Sequence, residues 1–172
     1  MPMSEVSITS PKQVGQPDFR FMRGRLSRWL ALGLGSGLSR VAPGTVGTLL
    51  AWALFVFAQP WLTLALGLPL VAVAFVAGVW ACDRVSADLG SDDHGAIVWD
   101  EMVAFWLLLL LVPVSFGSQF AAFVLFRFFD IVKPPPIRQA DQMVKGGFGV
   151  MLDDILASLM ALVCILAWQF FS

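Results

Sequence analysis

The chain alternates between long apolar runs and short polar segments. The segment 46–82 contains no charged residue, and Gln59 and Pro60 divide it into two apolar pieces, 46–58 and 61–82. The second piece has the roughly 20 residues that a helix needs to cross about 30 Å of hydrocarbon. The first is shorter, so we expect it either to be re-entrant or to begin earlier than its hydropathy indicates.

Two further apolar runs follow. The run 102–126 is interrupted by Pro113 and Gly117, which predict a kink or a tight hairpin tip, and the run 155–171 is continuous. If 46–58 with 61–82 and 102–112 with 118–129 both fold as hairpins, every polar segment falls on one face of the membrane. The pattern therefore predicts an all-α, polytopic membrane bundle with short or re-entrant helices and a polar site on its cytoplasmic face.

Composition agrees with a membrane protein of one domain. The 172 residues are 58% hydrophobic and 13% charged, with a mean hydropathy of +0.80 and a formal net charge of −1. Such a chain has no global field that would attract nucleic acid. Residues 1–18 lack the apolar core of a signal peptide and are predicted to be a flexible tail, with the membrane domain at 19–172. Two isolated cysteines, Cys82 and Cys164, make neither a disulfide framework nor a metal cluster.

The segment 19–29 mixes four arginines with aromatic and aliphatic residues. This mixture suits a segment lying at an anionic membrane surface, and it predicts a cytoplasmic N-terminal side. A solvated basic tail is the alternative. The following segment, 30–38, is broken by three glycines, so we expect it to pack closely against another helix.

Acidic residues are concentrated in the second half of the chain, since ten of the twelve lie between Asp83 and Asp154. Carboxylates beside a bilayer need counter-charges, and a hard divalent cation bound by oxygen ligands is one that suits them. No thiol or histidine cluster is present, which favours Mg²⁺ over Zn²⁺. The pattern therefore predicts a membrane enzyme with a carboxylate metal site.

Two polar segments precede apolar helices. In 42–48, Thr45 is a candidate N-cap, and the glycine-rich turn could direct N–H groups at a phosphate. Asp92 or Asp93 could cap a helix that contains Asp100 and Glu101, and Asp93 would share a face with Asp100 if that helix began by Asp93. Because Asp100 and Glu101 point about 100° apart, one could be a metal ligand and the other a base.

Two more polar segments follow the third apolar run. Asp130 and Lys133 could form a simple ion pair, or they could bind a metal and a phosphate with Arg127 and Arg138 nearby. Arg138 and Asp141 are three residues apart and could pair on a helix.

A flexible turn is predicted at 146–149, with Asp153 and Asp154 in the first turn of the last helix. There the two acids would complement the helix dipole. Grouped with the other acidic segments, they favour a divalent-cation site.

Several nucleophile schemes are excluded by the sequence. There is no Cys-x5-Arg motif for a cysteine nucleophile and no Asp-x-Asp triplet for the usual aspartyl-phosphate arrangement. A phosphohistidine mechanism that needs a second histidine is unavailable, because His94 is the only one. A lone histidine beside a helix start is more often structural or solvated than catalytic. Metal-assisted attack by water or by a carboxylate remains.

Four motifs, in order, resemble those of bacterial phosphatidylglycerophosphatase A: Pro43–Thr48, Asp93–Glu101, Phe126–Ile137 and Gly146–Asp154. The resemblance implies a magnesium-dependent inner-membrane phosphatase that converts phosphatidylglycerophosphate to phosphatidylglycerol. For such an enzyme we expect Asp100, Asp130, Asp153 and Asp154 to bind one or two Mg²⁺ ions. We expect Lys133, Arg138, Arg127 and Thr45 to bind the substrate phosphate. The catalytic residues are predicted to be Glu101, Asp100 and Asp93.

Three alternatives remain open. A small transporter could use the acids as a cation pathway. A CDP-alcohol phosphotransferase would also bind Mg²⁺ through aspartates, although its Asp-Gly-x-x-Ala-Arg signature is absent. A scaffold role would leave the clustered acids unexplained.

Overall fold

The computed structural model describes residues 15–91 and 94–171, and within these residues it is helical without strands. Residues 1–14 of the predicted tail at 1–18, together with Asp92, Asp93 and Ser172, lie outside the described residues. Short 3₁₀ segments at Gly33–Leu38 and Gln59–Trp61 separate some of the helices. The α-helices are α1 Phe19–Arg23, α2 Leu26–Ala31, α3 Pro43–Ala58, α4 Leu64–Leu89, α5 Trp99–Leu111, α6 Phe116–Val132, α7 Ile137–Met143 and α8 Gly146–Phe171.

Three helical segments in the described part of the chain are long and apolar enough to cross a membrane. They are Pro43–Trp61, which is α3 with the 3₁₀ turn that follows it, α4 and α8. The first of these segments begins earlier than its hydropathy indicated because Pro43 fits the first position of a helix, where no N–H partner is needed. The 13 residues of α5 and 17 of α6 correspond to about 20 and 26 Å, so these two helices form a shorter hairpin.

The centre of the bundle is formed by α5 and α8. Helix α8 packs against α4, α5, α6 and α7, while α5 also packs against α3 and α4. Two indole N–H groups tie α5 to its neighbours: Trp99 donates to the Ala74 carbonyl at 3.0 Å and Trp106 to the Ala51 carbonyl at 2.9 Å. These bonds satisfy polar groups that hydrocarbon could not solvate.

The hairpin tip predicted at Pro113 is confirmed. Helix α5 ends before Pro113, and Ser115 caps α6 by accepting a hydrogen bond from the Ser118 N–H at 3.1 Å. The chain therefore returns to its starting end after each of the α3–α4 and α5–α6 pairs. We call that end, where α3, α5 and α8 begin and α4 and α6 finish, the site end.

The N-terminal helices dock on the site end of α4. Arg28 bonds to Asp88 at 3.0 Å, and its guanidinium lies 3.9 Å from the centre of the Phe21 ring. The glycine-rich 3₁₀ segment packs closely as predicted, because a Cβ on Gly37 would overlap the Ala96 carbonyl. The segment also packs against α3, and a Cβ on Gly33 would overlap Met102 of α5, so the predicted close packing against a helix is confirmed.

The turn predicted at 146–149 is wrong, because these residues are the first turn of α8. A Cβ on Gly147 would collide with the Val79 carbonyl of α4, and the Gly147 N–H bonds to the Asp83 carboxylate at 3.2 Å. The glycines therefore allow α8 to approach α4. Asp153 and Asp154 consequently lie in the third turn of α8, away from its positive end.

Two predicted helix caps also differ from the structure. The N-cap of α3 is Ala42, with a left-handed φ of 45°, and Thr45 lies inside the first turn. Helix α5 has Val98 as its N-cap and begins at Trp99, so Asp100 lies in its first turn. Because this helix begins after residue 93, the predicted helix face shared by residues 93 and 100 does not exist.

Candidate active site

Arg127 of α6 lies between two carboxylates at the site end. Its Nη1 atom is 2.8 Å from Glu101 Oε2 of α5 and 2.8 Å from Asp130 Oδ2, one turn further along α6. The three side chains are only 12–14% exposed. A guanidinium is suited to this position because its several donors can serve two acceptors at once.

Thr48 of α3 joins the same group. Its hydroxyl donates to the Gly44 carbonyl at 2.9 Å, lies 3.3 Å from Glu101 Oε2, and is 3.5 Å from Arg127 Nη1. Gly44 leaves the space for this contact, since a Cβ there would overlap the Glu101 carboxylate. The motif at the start of α3 therefore holds Glu101 through Gly44 and Thr48. Thr45, which we had predicted to bind substrate, is half-buried in the preceding turn.

Burial raises the pKa of Glu101 to about 7, and the nearby Asp130 carboxylate adds to this effect while Arg127 opposes it. Glu101 lies outside the three helices long enough to span the membrane. A carboxylate with a pKa near neutrality is suited to accepting a proton during catalysis.

Three further acids are buried beside this group. Asp100, Asp153 and Asp154 are 7%, 5% and 3% exposed. Asp154 interacts electrostatically with Asp130, Asp100, Asp153 and Glu101, so the acidic segments that were separate in sequence form one cluster. Its Oδ2 atom is buried and has no hydrogen-bond partner in the described part of the chain.

Lys133 reaches the cluster from the end of α6. It is the C-cap of α6, with a left-handed φ of 45°, and its ammonium group pairs with Asp153 of α8 and, at 3.4 Å, with Asp141 of α7. Asp141 therefore contacts Lys133 rather than forming the predicted pair with Arg138. Arg138 is exposed on α7.

The donor set of this cluster suits a hard cation, although the described residues contain no ready-made group of three or more His, Cys, Asp or Glu that could hold a metal. The buried Oδ2 atom of Asp154 has no hydrogen-bond partner in the described part of the chain, and other carboxylates surround it. A cation bound there would neutralise their negative charge. Mg²⁺ commonly uses only one or two carboxylates, with waters and substrate phosphate completing its shell. The residues present therefore fit Mg²⁺ on these terms.

The remaining sequence predictions have different outcomes. The Nδ1 atom of His94 accepts the Ala96 N–H at 3.2 Å in the turn before α5, which agrees with a structural role for this histidine. Asp93 lies outside the described residues. The contact of Thr48 with Glu101 was not predicted, because the sequence of an apolar helix does not show which neighbour a threonine faces. Thr48 does belong to the motif Pro43–Thr48 that was identified in the sequence.

The fold and the site define a helical membrane protein with a buried acidic and basic cluster at one end of its bundle. A family model described as "Phosphatidylglycerophosphatase A" matches residues 29–169. Phosphatidylglycerophosphatase A of Haemophilus influenzae is 44% identical over 142 residues, which cover 82% of this chain and 87% of the relative. That of Escherichia coli K12 is 43% identical over 136 residues, covering 77% of each. The chain therefore belongs to the phosphatidylglycerophosphatase A family.

A third relative carries a different name. A protein of Bacteroides thetaiotaomicron, 41% identical over 143 residues that cover 79% of this chain and 89% of the relative, is named as a provisional phosphatidylinositol-3-phosphatase. No solved structure matches the chain significantly.

Proposed function

We propose that this protein is a magnesium-dependent lipid phosphatase that hydrolyses the terminal phosphomonoester of phosphatidylglycerophosphate, giving phosphatidylglycerol and phosphate. The observation that carries the proposal is the cluster of buried carboxylates around Asp154, with Lys133 and Arg127 at its edge, in a chain of this family. A phosphatase needs both charges, because cations bind the phosphate and carboxylates bind the metal and accept the proton of water.

Asp154 and Asp100 are the buried acids best suited to hold Mg²⁺. Asp130 and Asp153 would be further ligands, and each would then contact the metal as well as its present partner, Arg127 or Lys133. When bound, Mg²⁺ would offset the charge of the phosphoryl oxygens and lower the pKa of a coordinated water. The separation of these acids over α5, α6 and α8 makes the site depend on the packing of three helices.

The basic residues would bind the phosphate. In the described structure Lys133 and Arg127 each contact carboxylates, so substrate and metal must take over part of those ion pairs. Lys133 is a point-charge donor at a proline-restricted turn, while Arg127 can bond two phosphate oxygens at once. Arg138, exposed on α7, is available for an outer contact with the headgroup.

Glu101 would act as the general base. Thr48 and Arg127 fix its carboxylate, and its pKa of about 7 suits proton transfer at neutral pH. Glu101 accepts a proton as the water oxygen bonds to phosphorus. The bond from phosphorus to the glycerol oxygen breaks, and that oxygen takes a proton from solvent to become the hydroxyl of phosphatidylglycerol. Glu101 then returns its proton to solvent. A supporting role for Asp93 remains a prediction from the sequence.

We further propose that the protein lies in the bacterial inner membrane with its site end facing the cytoplasm. Exposed arginines at positions 20, 23 and 25 lie on the helices docked at the site end, which agrees with the tendency of basic residues to remain cytoplasmic. Labelling of a single cysteine at Ser91 by an impermeant thiol reagent in intact cells, in a background without Cys82 and Cys164, would contradict this orientation.

Phosphate release by the purified protein tests the proposed activity. We expect release from phosphatidylglycerophosphate with Mg²⁺ and none with chelator, and much slower release from phosphatidylinositol 3-phosphate, the substrate class that the third relative's name indicates. Faster hydrolysis of the inositol lipid would reassign the substrate. Cation flux through proteoliposomes without phosphate release would instead favour the transporter alternative.

A further inference from the structure

An apolar groove of about 740 Å³ runs along the outside of the bundle between α3 and α6. Its α3 wall includes Leu49, Ala53 and Val56, Trp52 forms its floor, and Phe116 lies at its far end. Leu49, Val56 and Phe116 are 46%, 48% and 78% exposed. In a membrane-spanning bundle this surface faces hydrocarbon.

The near end of the groove adjoins the candidate active site. Leu49 directly follows Thr48, whose hydroxyl contacts Glu101. One turn further along α3, the Trp52 ring stacks on Phe123 with centroids 5.7 Å apart, and Phe123 lies one turn before Arg127 on α6. The face of α3 that carries Thr48 therefore continues as one wall of the groove, and Trp52 on that wall contacts the α6 residue one turn before Arg127.

The groove is long enough for a substantial part of a lipid chain. The lining on the α3 side runs from Leu49 to Gln59, ten residues apart, which at 1.5 Å per residue gives about 15 Å. On the α6 side the lining consists of Phe116 and Gln119 in the first turn of that helix. That is about half of the roughly 30 Å hydrocarbon thickness of a bilayer.

The floor of the groove is held in place by several contacts. The Trp52 indole N–H donates to Gln119 Oε1 at 2.8 Å, and its ring also stacks on Phe116 with centroids 5.9 Å apart. A floor fixed by a hydrogen bond and two ring contacts keeps its shape. An apolar, preformed groove open to the membrane is suited to hydrocarbon.

We propose that the groove between α3 and α6 binds one acyl chain of the phospholipid whose terminal phosphate is hydrolysed at the adjoining site. This inference rests on the proposed function. Outside the groove the acyl chain would be surrounded by other lipid, which is equally apolar. Binding in the groove therefore gains little from the hydrophobic effect and depends on the shape of the groove. Its role is to position the lipid so that the phosphate reaches Lys133 and Arg127 rather than to extract it from the membrane.

A second apolar cleft, between α3 and α4, is less well placed. Trp106 and Leu110 of α5 line it, on the other side of α3. Glu101 reaches Thr48 and Arg127, which lie toward α6. An acyl chain in the α3–α4 cleft would have to pass around α3 to connect with a headgroup at that position.

Filling the groove tests the proposal. Ala53→Trp places a large side chain on the exposed α3 wall, and Ala72→Trp is the matched control on the exposed face of α4. With dipalmitoyl phosphatidylglycerophosphate in mixed micelles, we expect Ala53→Trp to lower kcat/KM by about tenfold or more, because a displaced reacting group loses rate steeply. With the dihexanoyl substrate, whose chains are too short to fill the groove, both variants should match the wild type.

Equal loss on both substrates, or no loss on the long one, would overturn the proposal. Val56→Trp repeats the test at a second wall position if Ala53→Trp fails to fold. Photolabelling provides a measurement that does not depend on turnover, using phosphatidylglycerophosphate with a diazirine on one acyl chain. Labels on α3 residues 49–56 and on 114–119 support the groove, and labels confined to the α3–α4 cleft contradict it. If the wild type hydrolyses neither substrate, the proposed function fails, while the labelling still decides the groove.

Discussion

Replacing Arg127 with glutamine removes a cation that two largely buried carboxylates share. Glu101 and Asp130 are 13% and 12% exposed and each lies 2.8 Å from the guanidinium. Removing one partner of a buried ion pair costs about 3–5 kcal/mol, because the other charge stays buried without compensation. For a domain of this length, where each kcal/mol corresponds to about 2–4 °C, the melting temperature should fall by roughly 6–20 °C.

Thermal unfolding of the metal-free protein in detergent measures this effect. Arg25→Gln is the control: its pair with Asp88 is also an ion pair, at 3.3 Å, but the Arg25 side chain is 58% exposed, so the cost should not exceed about 1 kcal/mol. Adding Glu101→Gln to Arg127→Gln should recover part of the lost stability by removing one uncompensated charge. The reasoning is refuted if Arg127→Gln destabilises no more than Arg25→Gln, or if the second substitution lowers the stability further.

Three shorter predictions concern the same site. Gly44→Ala should reduce phosphate release strongly because its Cβ would displace the Glu101 carboxylate, whereas Gly95→Ala, with open space around it, should be silent. In the metal-free folded protein Glu101, with a pKa of about 7, keeps a proton that the unfolded chain loses near pH 4.3. The free energy of unfolding should therefore fall as the pH rises from about 4.3 to about 7. Melting curves at pH 5 to 8 should show a smaller pH dependence for Glu101→Gln. Lys133→Ala should raise KM by roughly tenfold through loss of a charged phosphate contact, with the half-saturating Mg²⁺ concentration little changed; a large shift in that concentration would assign Lys133 to the metal.

The helices were largely predictable because apolar length is a strong signal in a membrane protein. The hairpin tip at Pro113 followed from the residue that cannot continue a helix. The start of α8 was not predictable, since Gly146 and Gly147 are typical of a turn when read alone. Their use in a helix depends on the close approach of α4, which local sequence does not encode.

The residues of the site were also predictable in part. The acidic segments marked where a charged cluster would form, and the structure does bring Asp100, Asp130 and Asp154 into one cluster. Their partners were not predictable, because the pairing of Glu101 with Arg127 spans 26 residues and depends on the register of the α5–α6 hairpin. Thr48 enters the site for the same reason, through the crossing of α3 over α5.

The central claim is that the buried acids bind Mg²⁺ for phosphate release. The most direct measurement is phosphate release from phosphatidylglycerophosphate across an Mg²⁺ titration, comparing the wild type with Asp154→Asn and with Asp18→Asn as a control outside the cluster. The wild type and Asp18→Asn should be inactive in chelator and regain full activity with Mg²⁺. Asp154→Asn should remain at least about a hundredfold slower at every Mg²⁺ concentration while melting near the wild-type temperature. Full activity of the metal-free wild type, or wild-type turnover by Asp154→Asn, would contradict the claim.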